Sequence, residues 1–354
     1  MTARDSVLKM VTEWQEEIPG TEASARLSSM LENLRFLERV KFTPYIPTLY
    51  SRHPAEFSER FHRWLSNPGI SSAQQRDLFE FAHCIAFFSF EDFTAMSQNA
   101  FSGPISRWCM SQADIRLDQL DWQARLNDER FRYTWFCPVT DSLLISLFHH
   151  VNGIEGKNRK PAFRELMHFG DTTADSEKNK IHRHIRAQGY RRIVLLEDFV
   201  GTGEQTFKTI EWAVRTLKLP VLFCPMIIAP EGADKYRKLK ETFAKMRAQD
   251  PDLPDFDFAP VFELGGDCFV HSADVTPDTL FARIRALAEE IHNRRANAQQ
   301  QSKEGALGYW NKNSPQKGTT VVMFCNTPNS SLPLLYRETA QWSPLFPRVD
   351  RQPL

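Results

Sequence analysis

Val194-Leu195-Leu196-Glu197-Asp198-Phe199-Val200-Gly201-Thr202-Gly203-Glu204-Gln205-Thr206 is the stretch whose reading decides the fold. Ile193 to Leu196 form an uninterrupted apolar run, as in a strand covered on both faces of a parallel sheet. Two acids close the run, two glycines follow, and Phe207, Ile210, Val214 and Leu217 then recur at helical spacing. Strand, glycine turn and helix are therefore expected in that order. Gly201 and Gly203 let backbone N–H groups approach an anion with no Cβ in the way, and the helix start adds free donors and the positive dipole end. Thr202 and Thr206 can add hydroxyls, while ionised Glu197 and Asp198 only accept, which suits paired sugar hydroxyls or a Mg²⁺ shell. The pattern predicts a seat for a phosphate with a ribose beside it.

Downstream, an apolar run from Val221 to Ile228 predicts another strand, with Pro225 suggesting an edge or a bulge. A helix over about 231–247 and a strand over 256–264 follow. Thr276-Pro277-Asp278 reads as a helix start, with Leu280, Ile284, Leu287 and Ile291 as the buried face. The polar, Gln/Asn-rich segment 297–317 reads as a solvated linker before a last strand over 319–324. Upstream, 131–136 reads as a strand, 137–141 as a turn and 142–151 as a helix. Such alternation predicts an α/β domain with a mainly parallel sheet flanked by helices, over about 126–354. The chain before it reads as an all-helical domain over 1–125, with helical runs near 55–66, 73–90 and 115–126.

Lys plus Arg and Asp plus Glu both total 44, so no overall field favours nucleic acid or a membrane surface, and direct nucleic-acid binding is not expected. No apolar run approaches the ~20 residues a membrane span needs. The amino terminus is polar and amphipathic, with no secretory pattern, so a cytoplasmic location is expected. Six cysteines stand singly, with no Cys-x-x-Cys, and are expected as buried, reduced thiols. His149-His150 and His182-x-His184 lack the partners of a metal set.

Three other glycine motifs compete for the decisive stretch. A Walker A loop needs Lys where Glu204 stands. A dinucleotide fingerprint Gly201-x-Gly203-x-x-Thr206 departs at its last position and wants an acid on the next strand, as a methyltransferase loop also does; Val221 to Ile228 has none. A plain strand-to-helix turn with solvated acids remains as well.

From Val194 to Gln205 the order of apolar run, acidic pair, apolar pair, glycine, threonine, glycine and polar pair resembles the phosphoribosyl-pyrophosphate loop of type I phosphoribosyltransferases. The helical preface, the length and the ending Phe324-Cys325-Asn326-Thr327-Pro328-Asn329-Ser330-Ser331-Leu332-Pro333-Leu334-Leu335-Tyr336 are similar to the PRTase-CE group, which is associated with bacterial anti-phage systems including some retrons. The resemblance implies that Glu197 and Asp198 hold ribose hydroxyls, that Gly201, Thr202, Gly203, Glu204 and Gln205 wrap the 5′-phosphate, and that Mg²⁺ reaches Asp198 through the ligand. Gln205 stands where members of that family often carry Thr, and Thr206 offers a hydroxyl from the next position. The slot of the pyrophosphate loop, Cys137 to Ser142, has neither Gly nor a basic residue.

It further implies attack at ribose C1′ of phosphoribosyl pyrophosphate or a nucleotide, in a defence effector held by a partner such as a reverse transcriptase or a winged-helix protein. The alternative is a non-catalytic module that senses a nucleotide through the same pocket. Asn326, Thr327 and Asn329 either recognise a base or ribose, or serve the turn locally. The basic stretch Lys157, Arg159, Lys160 and Arg164, with Lys178, Lys180, Arg183 and Arg186, either closes over pyrophosphate or is a solvated loop. Gly265-Gly266-Asp267 either lines the crevice or turns the chain.

Overall fold

The computed structural model describes residues 2–18, 20–49, 51–154, 174–270, 276, 278–293, 318–339 and 341–349 of the 354-residue chain. In chain order the helices are α1 (Ala3–Glu17), α2 (Thr21–Val40), α3 (Phe57–Leu65), α4 (Ser72–Phe81), α5 (Phe90–Ala100), α6 (Ser106–Gln112), α7 (Trp122–Phe131), α8 (Ile145–Val151), α9 (Ala174–Gln188), α10 (Glu204–Leu217), α11 (Pro230–Gln249), α12 (Leu280–Asn293) and α13 (Pro333–Tyr336). The strands are β1 (Ala86–Phe88), β2 (Thr134–Pro138), β3 (Arg192–Val200), β4 (Val221–Ile228), β5 (Phe256–Phe258), β6 (Phe262–Glu263) and β7 (Val321–Met323). The protein is α/β, with parallel sheets flanked by helices and an N-terminal helical region. It forms two compact units, residues 1–91 with 266–354 and residues 92–265, a division different from a cut at 125/126.

In the unit of residues 92–265 the strands run β2-β3-β4-β5, with β6 also on β4, and every pairing is parallel. The apolar run read at 193–196 is buried throughout, because β3 lies between β2 and β4 with helices packed over it. On one face Trp135, Ile193, Leu195, Val221 and Phe223 pack with Ile181 and Ile185 of α9, Ile210, Val214 and Leu217 of α10, and Tyr236 and Phe243 of α11. Each such large apolar side chain contributes about 1.5–3 kcal/mol when fully buried. The other face carries aromatic contacts, with ring centroids of Phe136 at 5.9 Å from Phe101 and 5.5 Å from Phe148.

Several boundaries differ from the sequence reading. Helix α7 continues to Phe131, so the strand expected at 131–136 begins at Thr134. The strand expected over 256–264 is two short strands, β5 and β6, with Pro260 between them. Pro225 is neither at an edge nor alone: β4 is interior, and the Pro225 carbonyl accepts from Val261 N beside the break between β5 and β6, where a missing donor does least harm.

In the unit of residues 1–91 with 266–354, α1 to α4 and α12 pack around Trp14, Trp64, Phe79 and Phe81. The run near 73–90, expected as helix, breaks after α4 and contains β1, which pairs in parallel with β7, so the last strand stands outside the sheet of β2 to β6. Helix α12 begins at Leu280, not at residue 277: Asp278 sits at φ 72°, and Thr279 Oγ1 accepts from Ala282 N at 3.3 Å as the cap. The linker read at 297–317 and the basic residues at 157–164 lie outside the described residues. Among the described residues no helix is long and apolar enough to cross a membrane. Cys109, Cys137 and Cys224 are buried, with burial pushing the Cys224 thiol up to about 12, whereas Cys84, Cys268 and Cys325 are half-buried.

Candidate functional site

Parallel register places the end of β2 beside the end of β3, with Pro138 opposite Leu196. The turn after β2 therefore meets the acids that end the apolar run of β3. Glu197 Oε2 accepts from Thr140 N at 2.9 Å, and its Oε1 accepts from the Thr140 hydroxyl and from Ser142 Oγ at 2.8 Å. The Ser142 hydroxyl also lies 2.8 Å from Asp198 Oδ1, which accepts from Phe199 N at 2.7 Å. Both acids are buried. Burial first, and the neighbouring Asp198 charge second, hold the Glu197 carboxyl well above the ordinary range, against the pull of the Thr140 and Ser142 hydrogen bonds. Among the described residues no cationic side chain pairs with Glu197. A buried acid such as Glu197, with no cation paired to it among the described residues, readily draws a proton, ligand hydroxyls or a cation-bearing ligand.

Past Val200 the chain turns through Gly201, Thr202 and Gly203 into α10. Gly203 occupies the helix cap at φ 75°, in the left-handed region that glycine reaches without strain. The cap has no side-chain hydrogen bond; the Glu204 amide meets Thr202 Oγ1 at 3.4 Å, and the first helical bond runs from Phe207 N to Gly203 O. The amides at the head of α10 are thus little engaged by the chain, beside a buried acid pair. Glu204 and Gln205 are exposed, and Gly201 and Thr202 half-buried, so all four are accessible from solvent.

Thr206 is placed differently. Its hydroxyl is buried, 2.6 Å from the Tyr236 hydroxyl of α11 and 3.3 Å from the Gly203 carbonyl, which Tyr236 also reaches at 3.2 Å. In this arrangement it clasps the turn to α11. Gly232, also on α11, packs so closely that a Cβ there would run into the Gly201 carbonyl and stand 3.1 Å from Val200 Cγ1. Gly232→Ala is expected to cost about 1–3 kcal/mol by overpacking and to displace Gly201. A calorimetric unfolding midpoint equal to wild type would refute that close fit.

Asn326 and Asn329 belong to the other compact unit. Asn326 Oδ1 accepts from Thr327 N at 3.0 Å, its Nδ2 donates to Val349 O at 3.1 Å, and the Asn329 carbonyl accepts from Tyr336 Oη at 3.3 Å. Thr327 is buried with its hydroxyl 2.9 Å from Tyr45 Oη. These contacts are those of a folded turn. Gly266 and Asp267 form a short helical turn in the same unit. Among the described residues no group of three His, Cys, Asp or Glu side chains converges to hold a metal.

Gly232 and Tyr236 escaped the sequence reading, and Thr140 and Ser142 entered it only as part of the slot Cys137 to Ser142, with no contact to the acids foreseen. Thr140 and Ser142 had a usable signal, since polar side chains just past one parallel strand lie at the mouth of its neighbour. Gly232 and Tyr236 had none, because only the packing of α11 over the turn gives them a task.

In comparison with known proteins, the profile of the PRTase-CE family matches residues 61–348. No curated protein and no solved structure matches the chain.

Proposed function

This chain belongs to the PRTase-CE family, and from that premise we propose that the turn between β3 and α10 binds phosphoribosyl pyrophosphate or a nucleotide and that the protein acts at ribose C1′. The observation that carries the reading is the buried pair Glu197 and Asp198 standing beside a glycine turn and a helix start whose amides are little used. In it, Gly201 to Gln205 surround the 5′-phosphate with backbone donors, and the acids accept from the ribose hydroxyls. Ser142 and Thr140 hydroxyls sit on those acceptors in the free protein, so binding exchanges protein hydroxyls for ligand ones.

Bond breaking at C1′ builds positive charge on the sugar. A positive sugar favours the ionised form of the raised Glu197 carboxyl, so the acids at a water-poor strand end are placed to stabilise that charge without moving, which is how pre-set electrostatics lowers a barrier. Mg²⁺ fits the oxygen donors present; the residues that would hold it are Asp198, through the ligand's hydroxyls, and the ligand's own phosphates, and it would neutralise departing phosphate charge. The chain itself needs no nucleophile. In a defence system the reaction would modify or deplete nucleotides under restraint by a partner protein, for which a reverse transcriptase or a winged-helix protein is the candidate. A cytoplasmic setting suits both.

A second reading is favoured by a specific feature: Glu197 is already satisfied by Thr140 and Ser142, and the turn Cys137 to Ser142 offers no basic residue or glycine for pyrophosphate. On that reading the pocket senses a nucleotide without turnover. Incubation with base-labelled nucleotide and with labelled phosphoribosyl pyrophosphate plus Mg²⁺, with and without partner protein, separates the two. Release of free base or pyrophosphate supports the enzyme; tight binding with no product under every condition supports the sensor. Absence of binding to either ligand overturns both.

A further inference from the structure

The unit of residues 1–91 with 266–354 contains a second place where charge is left uncompensated. A pocket of about 230 Å³ is lined by Arg52, His53, Arg60, Arg63, Glu338 and Ser343, so three guanidiniums and an imidazole share one carboxylate. Glu338 is occupied by Arg52 at 2.9 Å and by His53 Nε2 at 3.3 Å. Arg63 makes no side-chain hydrogen bond or ion pair among the described residues, and neither does the Ser343 hydroxyl.

Arg60 is the unusual member. It is only 2% exposed, yet no carboxylate pairs with it among the described residues. Its Nε donates to Leu345 O at 3.0 Å, and its Nη1 to Pro54 O at 2.8 Å and Ala55 O at 2.6 Å. The rings of Tyr45 and Phe57 lie 5.8 and 6.0 Å from its Cζ. Nη2 has no partner among the described residues. Burial pulls Arg60 down to about 10, so the guanidinium still carries its charge at neutral pH. The buried Arg192 of the other unit shows the ordinary alternative, a carboxylate of Glu129 at 2.7 Å. Arg60 is instead held by carbonyls, which fix its geometry, and the carboxylates of Glu56 and Glu38 act on it only from beyond ion-pair distance. The Ser343 segment is held as well, its N–H donating to Asn67 Oδ1 at 2.7 Å.

We propose that this pocket binds a phosphate dianion, free or as the phosphate of a small phosphomonoester, between Arg60, Arg63, Arg52 and the Ser343 hydroxyl. The uncompensated charge of the lining is +2 with His53 neutral, from three guanidiniums less one carboxylate, which matches a dianion rather than a lone carboxylate. Several planar guanidiniums lining one pocket suit an oxyanion, which they can bind through paired N–H donors. The pocket exceeds the bare ion and leaves room for a small ester group. No residue of the β3 to α10 turn takes part, so the proposal stands apart from the proposed function.

The test uses the full chain, with inorganic phosphate and then ribose 5-phosphate as probes in calorimetry. Arg52→Gln with Arg63→Gln removes two exposed cations and leaves Arg60 in place, so the fold is kept; its unfolding midpoint without phosphate checks this. Each lost charge-assisted contact should weaken binding about tenfold, so the pair should remove one binding event or weaken it about 100-fold. Glu197→Gln with Asp198→Asn should leave that event unchanged. Equal affinity for both probes identifies the ion as the ligand, and tighter ribose 5-phosphate binding identifies a monoester; either supports the site. No phosphate binding by wild type, binding untouched in the arginine variant, or loss of that event in the acid variant overturns it.

Discussion

Glu197→Gln combined with Asp198→Asn is expected to stabilise the ligand-free protein at alkaline pH while weakening binding of phosphoribosyl pyrophosphate by at least about 100-fold, since two or more charge-assisted hydrogen bonds are lost. The two effects share one cause. At the strand end, burial first and the neighbouring Asp198 charge second disfavour the ionised form of Glu197. An acid whose folded pKa is raised makes the folded state bind more protons than the unfolded one. Stability from that proton is full below the ordinary value of 4.5 and falls as pH rises above it toward the raised value. Amides carry no such charge, so the variant should match wild type near pH 4 and gain on it progressively up to about pH 9. Glutamine can still accept from Thr140 N, and the Thr140 and Ser142 hydroxyls can turn to accept from its amide. Urea unfolding at several pH values, with titration of the sugar diphosphate, reads both sides. An advantage that does not depend on pH refutes the raised Glu197 carboxyl, and an unchanged affinity removes the acids from the ligand site.

Glu129→Ala should cost more stability than any other single change considered, about 3–5 kcal/mol, because it strands a buried cation. Glu129 in the last turn of α7 sits 2.7 Å from Arg192 Nη2 and 3.2 Å from Arg191 Nη1. Arg192 opens β3 and is only 4% exposed, with a further bond from Nη1 to Cys109 O at 3.2 Å. Without Glu129 that charge has one neutral carbonyl left. Replacing both partners, Glu129→Leu with Arg192→Met, should recover most of the loss, since an apolar pair of similar size needs no neutralisation. Equilibrium unfolding of both single variants and the double variant gives the coupling. A single variant losing under about 1 kcal/mol would show that solvent reaches Arg192.

The decisive stretch was legible because several local signals agree there. An unbroken apolar run, two acids, two glycines and a helical repeat each point to strand, turn and helix. Gly203 at φ 75° is the residue such a cap requires. Readings failed where only local preference was available. Thr276-Pro277 reads as a better helix start than Thr279, yet left-handed Asp278 delays the helix. Segment 81–90 has no charged residue to mark a boundary, and it holds the end of a helix, a strand and the first residue of the next helix. Thr206 reads as a ligand hydroxyl, and nothing local in the sequence signals that this hydroxyl meets Tyr236, a partner thirty residues away.

The sequence alone determined the class of fold, the position of β3 and the residues of its turn, because apolar period and glycine placement are properties of neighbours along the chain. It also determined the PRTase-CE identity. Tertiary structure decided what neighbours along the chain cannot: that β7 pairs with β1, that Thr140 and Ser142 cover the acids, that α11 presses Gly232 against Gly201, and that Arg60 lies buried without a carboxylate. Those are contacts between distant segments, set by strand register and helix packing, and their energies do not exist until the chain has closed on itself.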